Sequence, residues 1–300
     1  MKIAITGSEG FIGKHLSSWF SENNEVLEID FRSEKGNPID LLSRISRGDV
    51  FDVVLHFGAN SNAQEKNHEK NYFENLGYTN ALVSLCAVKN IPLIFASSAA
   101  IYGNTNQVEL SPYANSKLKG EEFILETARY FLNWRFIILR LSNIYGPGEE
   151  NKDKMMSIPT KFVLDALGNG IIEIWRIGNP ASYRIAARDF LNVHDLVQII
   201  DKIVKTSDWN VKTIDLGSGE TKSLVEIANT VRSFIAARID YVAPPATLDI
   251  NHYQLHTKSN LEGLNSYTPG YSFLTLESGI SELVEGYKDG KLRSCNSNHE

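Results

Sequence analysis

The chain has 300 residues, of which 42% are hydrophobic and 22% charged, so it is long enough to bury one large core or two modest ones. Its net charge of −6 gives no electrostatic support for a nucleic-acid partner. No apolar run approaches the length of a membrane-spanning helix, and the only cysteines, Cys86 and Cys295, lack metal-ligand spacing. We therefore expect a cytoplasmic globular protein with no metal and no membrane partner.

The first thirteen residues, MKIAITGSEGFIG, predict a binding site for a dinucleotide. Residues 2–6 form a short, β-branched apolar run that is typical of a buried strand. Glycines at GxxGxxG spacing permit a tight turn that approaches phosphates, and the next helix presents free N–H groups and a positive dipole end. The predicted pyrophosphate contacts are Gly7, Gly10, Phe11, Ile12 and Gly13.

The second predicted strand, residues 25–30 (EVLEID), ends in an acid. Asp30 in this position accepts hydrogen bonds from the adenine ribose hydroxyls, which favours NAD. Arg32 follows two residues later and suits a 2′-phosphate, so NADP is the alternative cofactor. Asp40 and Leu41 are predicted to lie in a loop that contacts the adenine, with a solvated acid as the alternative.

Strand and helix patterns then alternate along the chain. Strands are predicted at residues 52–57, 91–96 and 130–139, and helices at 72–89 and from Ser111-Pro112 onward. Gly58 follows a strand where the backbone passes close to a cofactor, and Asn75 near the start of a helix is a further cofactor contact. His56 is interpreted as a hydrogen-bonded core histidine. The alternation favours a doubly wound parallel sheet, whose ligands lie beyond the carboxyl ends of its strands.

Ser98, Tyr113 and Lys117 carry the predicted chemistry. Tyr113 and Lys117 are four residues apart and project from one helical face. A free tyrosine, with a pKa near 10, is a poor base at neutral pH, and a neighbouring ammonium group lowers that pKa. Lys117 is also predicted to reach the nicotinamide ribose, while Ser98 hydrogen-bonds the substrate oxygen. Together they remove a proton from an alcohol while hydride leaves its carbon.

The second half of the chain predicts a mixture of further elements. Strands are expected at residues 171–177, 213–216 and 239–242, and helices at 162–167, 194–204, 224–236 and 276–287. We predict an α/β fold, a Rossmann-type doubly wound parallel sheet with a smaller mixed α/β substrate-binding lobe. The Rossmann domain is placed at residues 1–144, to which 186–217 return, and the lobe at 145–185 and 218–300.

Six motifs occur in the order TGSEGFIG, HFGAN, SSAAIYG, YANSK, NIYGPG and RDFLNV. In this order they resemble the extended short-chain dehydrogenases/reductases of the sugar-nucleotide epimerase and dehydratase group. The resemblance reaches to about Tyr287 and implies nicotinamide chemistry on a nucleotide sugar. It places the family's catalytic roles on Ser98, Tyr113 and Lys117. We also expect a homo-oligomer.

A narrower resemblance, to ADP-glyceromanno-heptose 6-epimerases, rests on ASSAAIYG, YGPGEENKDKMMS, RDF with the following VHD, and APP…HYQ. That family has a second acid/base lysine in the loop after its YGP motif, and Lys152 is the matching residue. Inverting a carbinol carbon requires proton transfer at two orientations of one substrate, which one tyrosine serves poorly. The alternatives for Lys152 are a solvated lysine and a phosphate contact.

The predicted substrate site also includes Asn143, Arg184, Arg188 and Tyr253. The two arginines are expected to clamp a diphosphate, because guanidinium groups suit phosphate oxygens. Tyr253 is expected to stack on the nucleotide base, with a packed aromatic as the alternative. The loop that contains Arg184, NPASYRIAA, is longer than in the resembled family, and the loop after Ser98 is shorter, so the sugar or nucleotide is expected to differ.

The predicted reaction is redox epimerisation of a nucleotide-activated heptose through a keto intermediate, with NAD(P) recycled in each turnover. A 4-epimerase, a 4-keto reductase or a dehydratase on the same scaffold is the first alternative. Ala99-Ala100 follows Ser98 where a dehydratase usually has an Asp-Glu pair, which counts against that reaction. A non-catalytic nucleotide-sensing protein is the second alternative, but such proteins commonly lose the tyrosine or the lysine.

Overall fold

A computed structural model describes residues 1–31, 36–60, 72–103, 110–149, 152, 155–179, 181–246, 248, 250, 253–290 and 292. The strands are β1 (Lys2–Thr6), β2 (Glu25–Ile29), β3 (Val53–His56), β4 (Leu93–Ser98), β5 (Phe136–Leu141), β6 (Asn143–Tyr145), β7 (Ile171–Trp175), β8 (Ala187–Asn192), β9 (Thr213–Leu216), β10 (Thr221–Ser223) and β11 (Arg238–Val242). The helices are α1 (Phe11–Ser21), α2 (Pro38–Arg47), α3 (Tyr78–Val88), α4 (Pro112–Tyr130), α5 (Ile158–Gly168), α6 (Val193–Lys205), α7 (Leu224–Phe234), α8 (Glu262–Asn265) and α9 (Leu276–Lys288).

The main sheet has six parallel strands in the order β2-β1-β3-β4-β5-β9. The strand order changes direction between β1 and β3, which is where ligands bind in open α/β sheets. Gly7 follows β1 and Gly58 follows β3, so two predicted cofactor contacts meet at this point. The topology confirms the expected Rossmann-type sheet.

Helices cover both faces of the main sheet. Ile3 and Ile5 of β1 face a core that α1 and α6 complete with side chains such as Leu16. Ala4, between them, faces a second core built with α2, α3 and α4. This alternation is the two-residue period of a strand, and burial on both faces explains why β1 reads as a continuous apolar run.

Two small sheets form the rest of the α/β structure. β8 pairs with β6 in parallel and with β10 antiparallel, and β7 pairs with β11 in parallel. A third core packs these strands against α5, α7 and α9. Residues 186–217 are divided, because β8 belongs to a small sheet whereas β9 joins the main one. The domain boundaries given above stay a prediction.

Local sequence signals explain how α4 begins, whereas the end of the same helix is predicted wrongly from the sequence. Ser111 caps α4, accepting a hydrogen bond from the Ala114 amide at 3.2 Å, and Pro112 occupies the first turn. The strand predicted at residues 130–139 starts too early, because Tyr130 is the last residue of α4 and β5 begins at Phe136. The helix predicted at 72–89 opens as a π-helical turn, Tyr72–Gly77, before α3.

Candidate active site

The glycine turn after β1 is packed too closely for any side chain. Gly7 has a φ of +74°, and a Cβ there would lie 2.7 Å from the Gly58 Cα. A Cβ on Gly13 would lie 1.9 Å from the Gly7 carbonyl oxygen. Gly10 precedes α1, whose first N–H groups carry the positive end of the helix dipole. These residues fit a dinucleotide pyrophosphate, as the sequence predicts.

The acid at the end of β2 is held against the same turn. Asp30 is buried, and its Oδ2 accepts a hydrogen bond from the Glu9 amide at 3.2 Å. Its position fits a contact to the adenine ribose, which stays a prediction. Arg32 lies outside the described residues. The loop predicted for Asp40 and Leu41 is wrong: both lie in α2, where Asp40 is exposed and Leu41 is fully buried in the core.

A chain of buried polar side chains supports the loop after β3. His56 Nδ1 lies 2.7 Å from Thr6 Oγ1, and His56 Nε2 lies 2.8 Å from Thr79 Oγ1. Thr6 Oγ1 also accepts a hydrogen bond from the Gly58 amide at 3.1 Å. Burial and the positive charge of Lys117 lower the pKa of His56 to about 3. His56 is therefore the neutral, hydrogen-bonded core histidine that the sequence predicts.

Asn75, a predicted cofactor contact, is engaged with protein groups. Its Oδ1 accepts a hydrogen bond from the Asn60 amide at 2.6 Å, and its Nδ2 donates to the Asn60 carbonyl at 3.1 Å. The same Nδ2 donates to Ser116 Oγ on α4 at 3.1 Å. Asn75 is placed to fix the backbone beside Gly58, and a direct contact to the cofactor stays a prediction.

Ser98, Tyr113 and Lys117 come together where β4 ends and α4 begins. Ser98 hydrogen-bonds the Tyr113 hydroxyl, and its Oγ accepts a hydrogen bond from the Ala100 amide at 3.1 Å. Lys117 is 4% exposed and donates from Nζ to the Ala96 carbonyl at 2.7 Å, with Nζ 4.9 Å from the centre of the Phe95 ring. The group lies at the carboxyl end of the central strands, as the sequence predicts.

The charges of this group differ from the expectation in one respect. Burial lowers the pKa of Lys117 to about 8, and the Glu121 carboxylate acts in the opposite direction. Burial raises the pKa of Tyr113, which hydrogen bonding to Ser98 only partly offsets. The expected lowering of the Tyr113 pKa by Lys117 is therefore not found in the protein alone, because burial outweighs the other influences on that pKa.

Lys152 is held by a buried carboxylate. Its Nζ lies 2.7 Å from Glu149 Oε1 and 4.8 Å from the centre of the Phe11 ring. Glu149 is 0% exposed and also accepts hydrogen bonds from Ser157 Oγ at 2.5 Å and Thr160 Oγ1 at 2.6 Å. Among the described residues, no hydrogen bond joins Lys152 to Tyr113. The ammonium group lies instead at the start of α1, beside the glycine turn.

Two predicted substrate residues are stacked on each other. The Arg188 guanidinium carbon lies 4.5 Å from the centre of the Tyr253 ring, and burial lowers the pKa of Arg188. Arg188 Nε also donates to the Gln254 carbonyl at 2.9 Å. Arg184 is exposed and pairs through its backbone with Ile177, in a different part of the small lobe. A joint clamp by the two arginines stays a prediction.

Asn143, which the sequence predicts as a substrate residue, donates to the Asp189 carbonyl at 2.8 Å and so fixes the chain after β5. A contact of Asn143 with the substrate stays a prediction. Other residues of the site were not found from the sequence. Gln254 Nε2 donates to the Ala99 and Gly103 carbonyls, both at 3.2 Å, and so joins the C-terminal segment to the turn after Ser98. Nothing in its spacing indicates that contact. The spacing of Glu121, four residues after Lys117 on the same helix, could have indicated its place in this group.

In the parts of the chain that the structure describes, no group of histidine, cysteine, aspartate or glutamate side chains is arranged to hold a metal ion. The helices found there are all too short or too polar to span a bilayer.

The chain is similar to known proteins over nearly its whole length. ADP-L-glycero-D-manno-heptose-6-epimerase of Cupriavidus pinatubonensis is 26% identical over 335 residues, covering 98% of both chains. The crystal structure of the Helicobacter pylori enzyme of that name is 25% identical, with a TM-score of 0.79 and 96% of each chain covered. The structure of UDP-glucose 4-epimerase from Thermotoga maritima has a TM-score of 0.81 at 19% identity, covering 97% of this chain and 100% of that one, and shares the fold.

A family model gives the assignment. The model of the NAD dependent epimerase/dehydratase family matches residues 3–217, which is more than half of the chain. The matched range includes the glycine turn, Asp30 and the group formed by Ser98, Tyr113 and Lys117. This chain belongs to the NAD dependent epimerase/dehydratase family, whose cofactor is NAD.

Proposed function

We propose that the protein is an NAD-dependent epimerase that inverts a carbinol carbon of a nucleotide-diphospho-heptose. The observation that carries the proposal is the meeting of Ser98, Tyr113 and Lys117 at the carboxyl end of β4, on the same edge of the parallel sheet as the glycine turn after β1. Similarity to proteins named ADP-L-glycero-D-manno-heptose-6-epimerase over nearly the whole chain supports the sugar class. A cytoplasmic location and a homo-oligomer stay predictions from the sequence.

The chain's own residues suit the two halves of such a reaction. NAD, when bound, accepts a hydride from the carbinol carbon and later returns it. Tyr113, as the phenolate, would take the hydroxyl proton as the substrate is oxidised, and Ser98 would hydrogen-bond the oxygen that becomes the ketone. Because burial favours the phenol in the protein alone, that phenolate would have to form when NAD, with its positively charged nicotinamide, is bound. Lys117 holds a positive charge beside them and contacts the ribose. The keto sugar then turns its other face towards the cofactor, and the alcohol regains a proton.

The source of that second proton separates two candidate functions. Lys152 is the proposed second acid, and its ammonium group is held by the buried Glu149 at the start of α1. A single-base 4-epimerase is the second candidate, because Lys152 contacts Glu149 and Phe11 in the structure. Tyr113 would then serve both half-reactions.

The test is a panel of nucleotide sugars followed by NMR, with ADP-heptose, UDP-glucose and UDP-glucuronic acid as members. We expect an ADP-heptose to reach a mixture of 6-epimers with a catalytic quantity of NAD and no accumulation of NADH. If only a UDP-hexose is turned over, the proposed heptose epimerisation is wrong and 4-epimerisation takes its place. Stoichiometric NADH, loss of water, or binding without turnover would each contradict the proposal.

A further inference from the structure

Three consecutive residues at the end of β4 contact three successive turns of α4. The spacing on the helix is four residues each time, so the contacted side chains share one face. Two of the helix residues belong to the proposed active site, and the third is an acid with no role so far. The contacting pairs are Ser98 with Tyr113, Ala96 with Lys117 and Ser97 with Glu121.

Glu121 is fixed from two neighbouring strands. It is 2% exposed, and its Oε1 accepts a hydrogen bond from Ser97 Oγ at 2.5 Å. Arg140, opposite Ser97 in the β4–β5 register, donates from Nη2 to Oε2 at 2.7 Å and from Nε to both oxygens at 3.1 and 3.2 Å. A carboxylate with this many donors is held in one position.

Lys117 lies in surroundings that disfavour its charge. It is buried against Phe95, and among the described residues the one hydrogen-bond acceptor found for it on the strand side is the Ala96 carbonyl. Among the described residues, the neighbouring titratable groups are Tyr113, four residues earlier on the same helix, and His56 from β3. Both are neutral at pH 7, because burial raises the pKa of Tyr113 and lowers that of His56. Glu121 is the anion that opposes the burial of this ammonium group.

We propose that Glu121 is a positioning residue whose fixed negative charge holds the Lys117 ammonium group at the end of β4, where Tyr113 and the cofactor need it. Arg140 and Ser97 act one step further away, by fixing the carboxylate. The inference rests on the proposed role of Lys117. A merely structural role for Glu121 would support the helix without affecting the charge of the lysine.

The test measures the charge of Lys117 directly, in the full chain. Lysines labelled with ¹³C at Cε are titrated by NMR, and the Lys117 signal is identified by its loss in Lys117→Met. In Glu121→Gln, which keeps the shape and removes the charge, we expect the titration midpoint of Lys117 to fall by roughly 1 pH unit. Glu122→Gln is the matched control, because Glu122 is the next residue and pairs with Lys119 at the surface.

The direction of the change decides the inference. Loosening of the helix would admit water and raise the midpoint, whereas loss of an attractive charge lowers it. A midpoint that is unchanged or higher in Glu121→Gln therefore overturns the inference. If that variant does not fold, Glu121→Gln with Arg140→Gln removes both charges. Because Glu121 acts on the pKa of Lys117 and Arg140 does not, a downward shift is still required. Because no turnover is measured, the result is independent of whether the heptose reaction is found.

Discussion

The side chain of Asn75 pairs with both backbone groups of Asn60, accepting from its amide at 2.6 Å and donating to its carbonyl at 3.1 Å. This pairing fixes the segment that begins at Gly58. Gly58 packs against Gly7. The side-chain amide of Asn75 therefore supports the glycine turn after β1 without contacting it directly.

We expect Asn75→Ala to weaken NAD binding by on the order of 10-fold, because the Asn60 amide loses its partner and the loop beside Gly58 loosens. Calorimetric titration of NAD gives the affinity, and thermal unfolding gives the accompanying loss of stability. Asn115→Ala, at an exposed position of α4, is the control. Unchanged affinity would show that the cofactor turn does not depend on this pairing.

Cofactor choice is expected to depend on Asp30. The carboxylate is buried at the end of β2 and repels a 2′-phosphate, so NAD binds more tightly than NADP. In Asp30→Ser we expect the NAD preference to shrink by about 10-fold, measured as the ratio of the two dissociation constants. Asp49→Asn, which removes an exposed partner of Arg44, should leave the ratio unchanged. Equal or tighter NADP binding by the unaltered protein would mean that Arg32 dominates.

Tyr113→Phe should leave folding and NAD binding intact and lower kcat by about 10²–10⁴, the usual loss for an acid/base group. Only the hydroxyl is removed, so the packing of α4 is preserved. Tyr130→Phe, at the exposed end of the same helix, serves as the control. Near-normal turnover in the Tyr113 variant would exclude it from the mechanism.

Lys152→Met distinguishes three roles for this lysine. If it is the second acid/base, epimerisation falls by about 10²–10⁴ while oxidation of the substrate through Tyr113 survives. If it binds a phosphate, KM rises with kcat unchanged. If it is a loop lysine, neither constant changes.

Glu149 complicates the Lys152 experiment, because the single variant leaves a buried carboxylate without its cation. The double change Lys152→Met with Glu149→Gln removes both charges and is measured beside it. Lys205→Met, at an exposed pair with Asp201, is the control for loss of a lysine elsewhere. An unchanged kcat in both Lys152 variants contradicts the two-base mechanism.

His56 is expected to make the fold sensitive to acid. Its pKa is about 3 in the folded protein and 6.5 when exposed, so between these values the unfolded chain binds the extra proton. Stability therefore falls as the pH drops through this range, by roughly 2–3 kcal/mol from pH 6.5 to 4.5. Urea unfolding of His56→Gln should show a flatter pH dependence, whereas the exposed His256→Gln should keep the original slope.

The sequence predicts the elements that short-range signals define. The bounds of β1 and β9 are the same in prediction and structure, because each is a short stretch with β-branched residues that is closed by a glycine, Gly7 or Gly217. The spacing of Tyr113 and Lys117 places them on one helical face. The loop predicted at Leu41 is wrong, because Asn37 and Pro38 begin a helix whose apolar side is buried.

Partners that meet only through the tertiary fold could not be predicted. Arg140 and Glu121 are nineteen residues apart, on a strand and a helix, and their contact requires the β4–β5 register. The contact of Gln254 with Ala99 joins segments from opposite ends of the chain. Spacing along the sequence carries no information about such distances, so the roles of these residues follow only from the structure.

The position of β9 constrains how the protein is made. β5 lies between β4 and β9, so its outer edge stays unpaired until residues 213–216 have been synthesised. The unpaired edge of an apolar strand such as β5 can pair with strands of other chains. During translation the half-built sheet therefore carries an aggregation risk, which ends when β9 arrives and covers that edge.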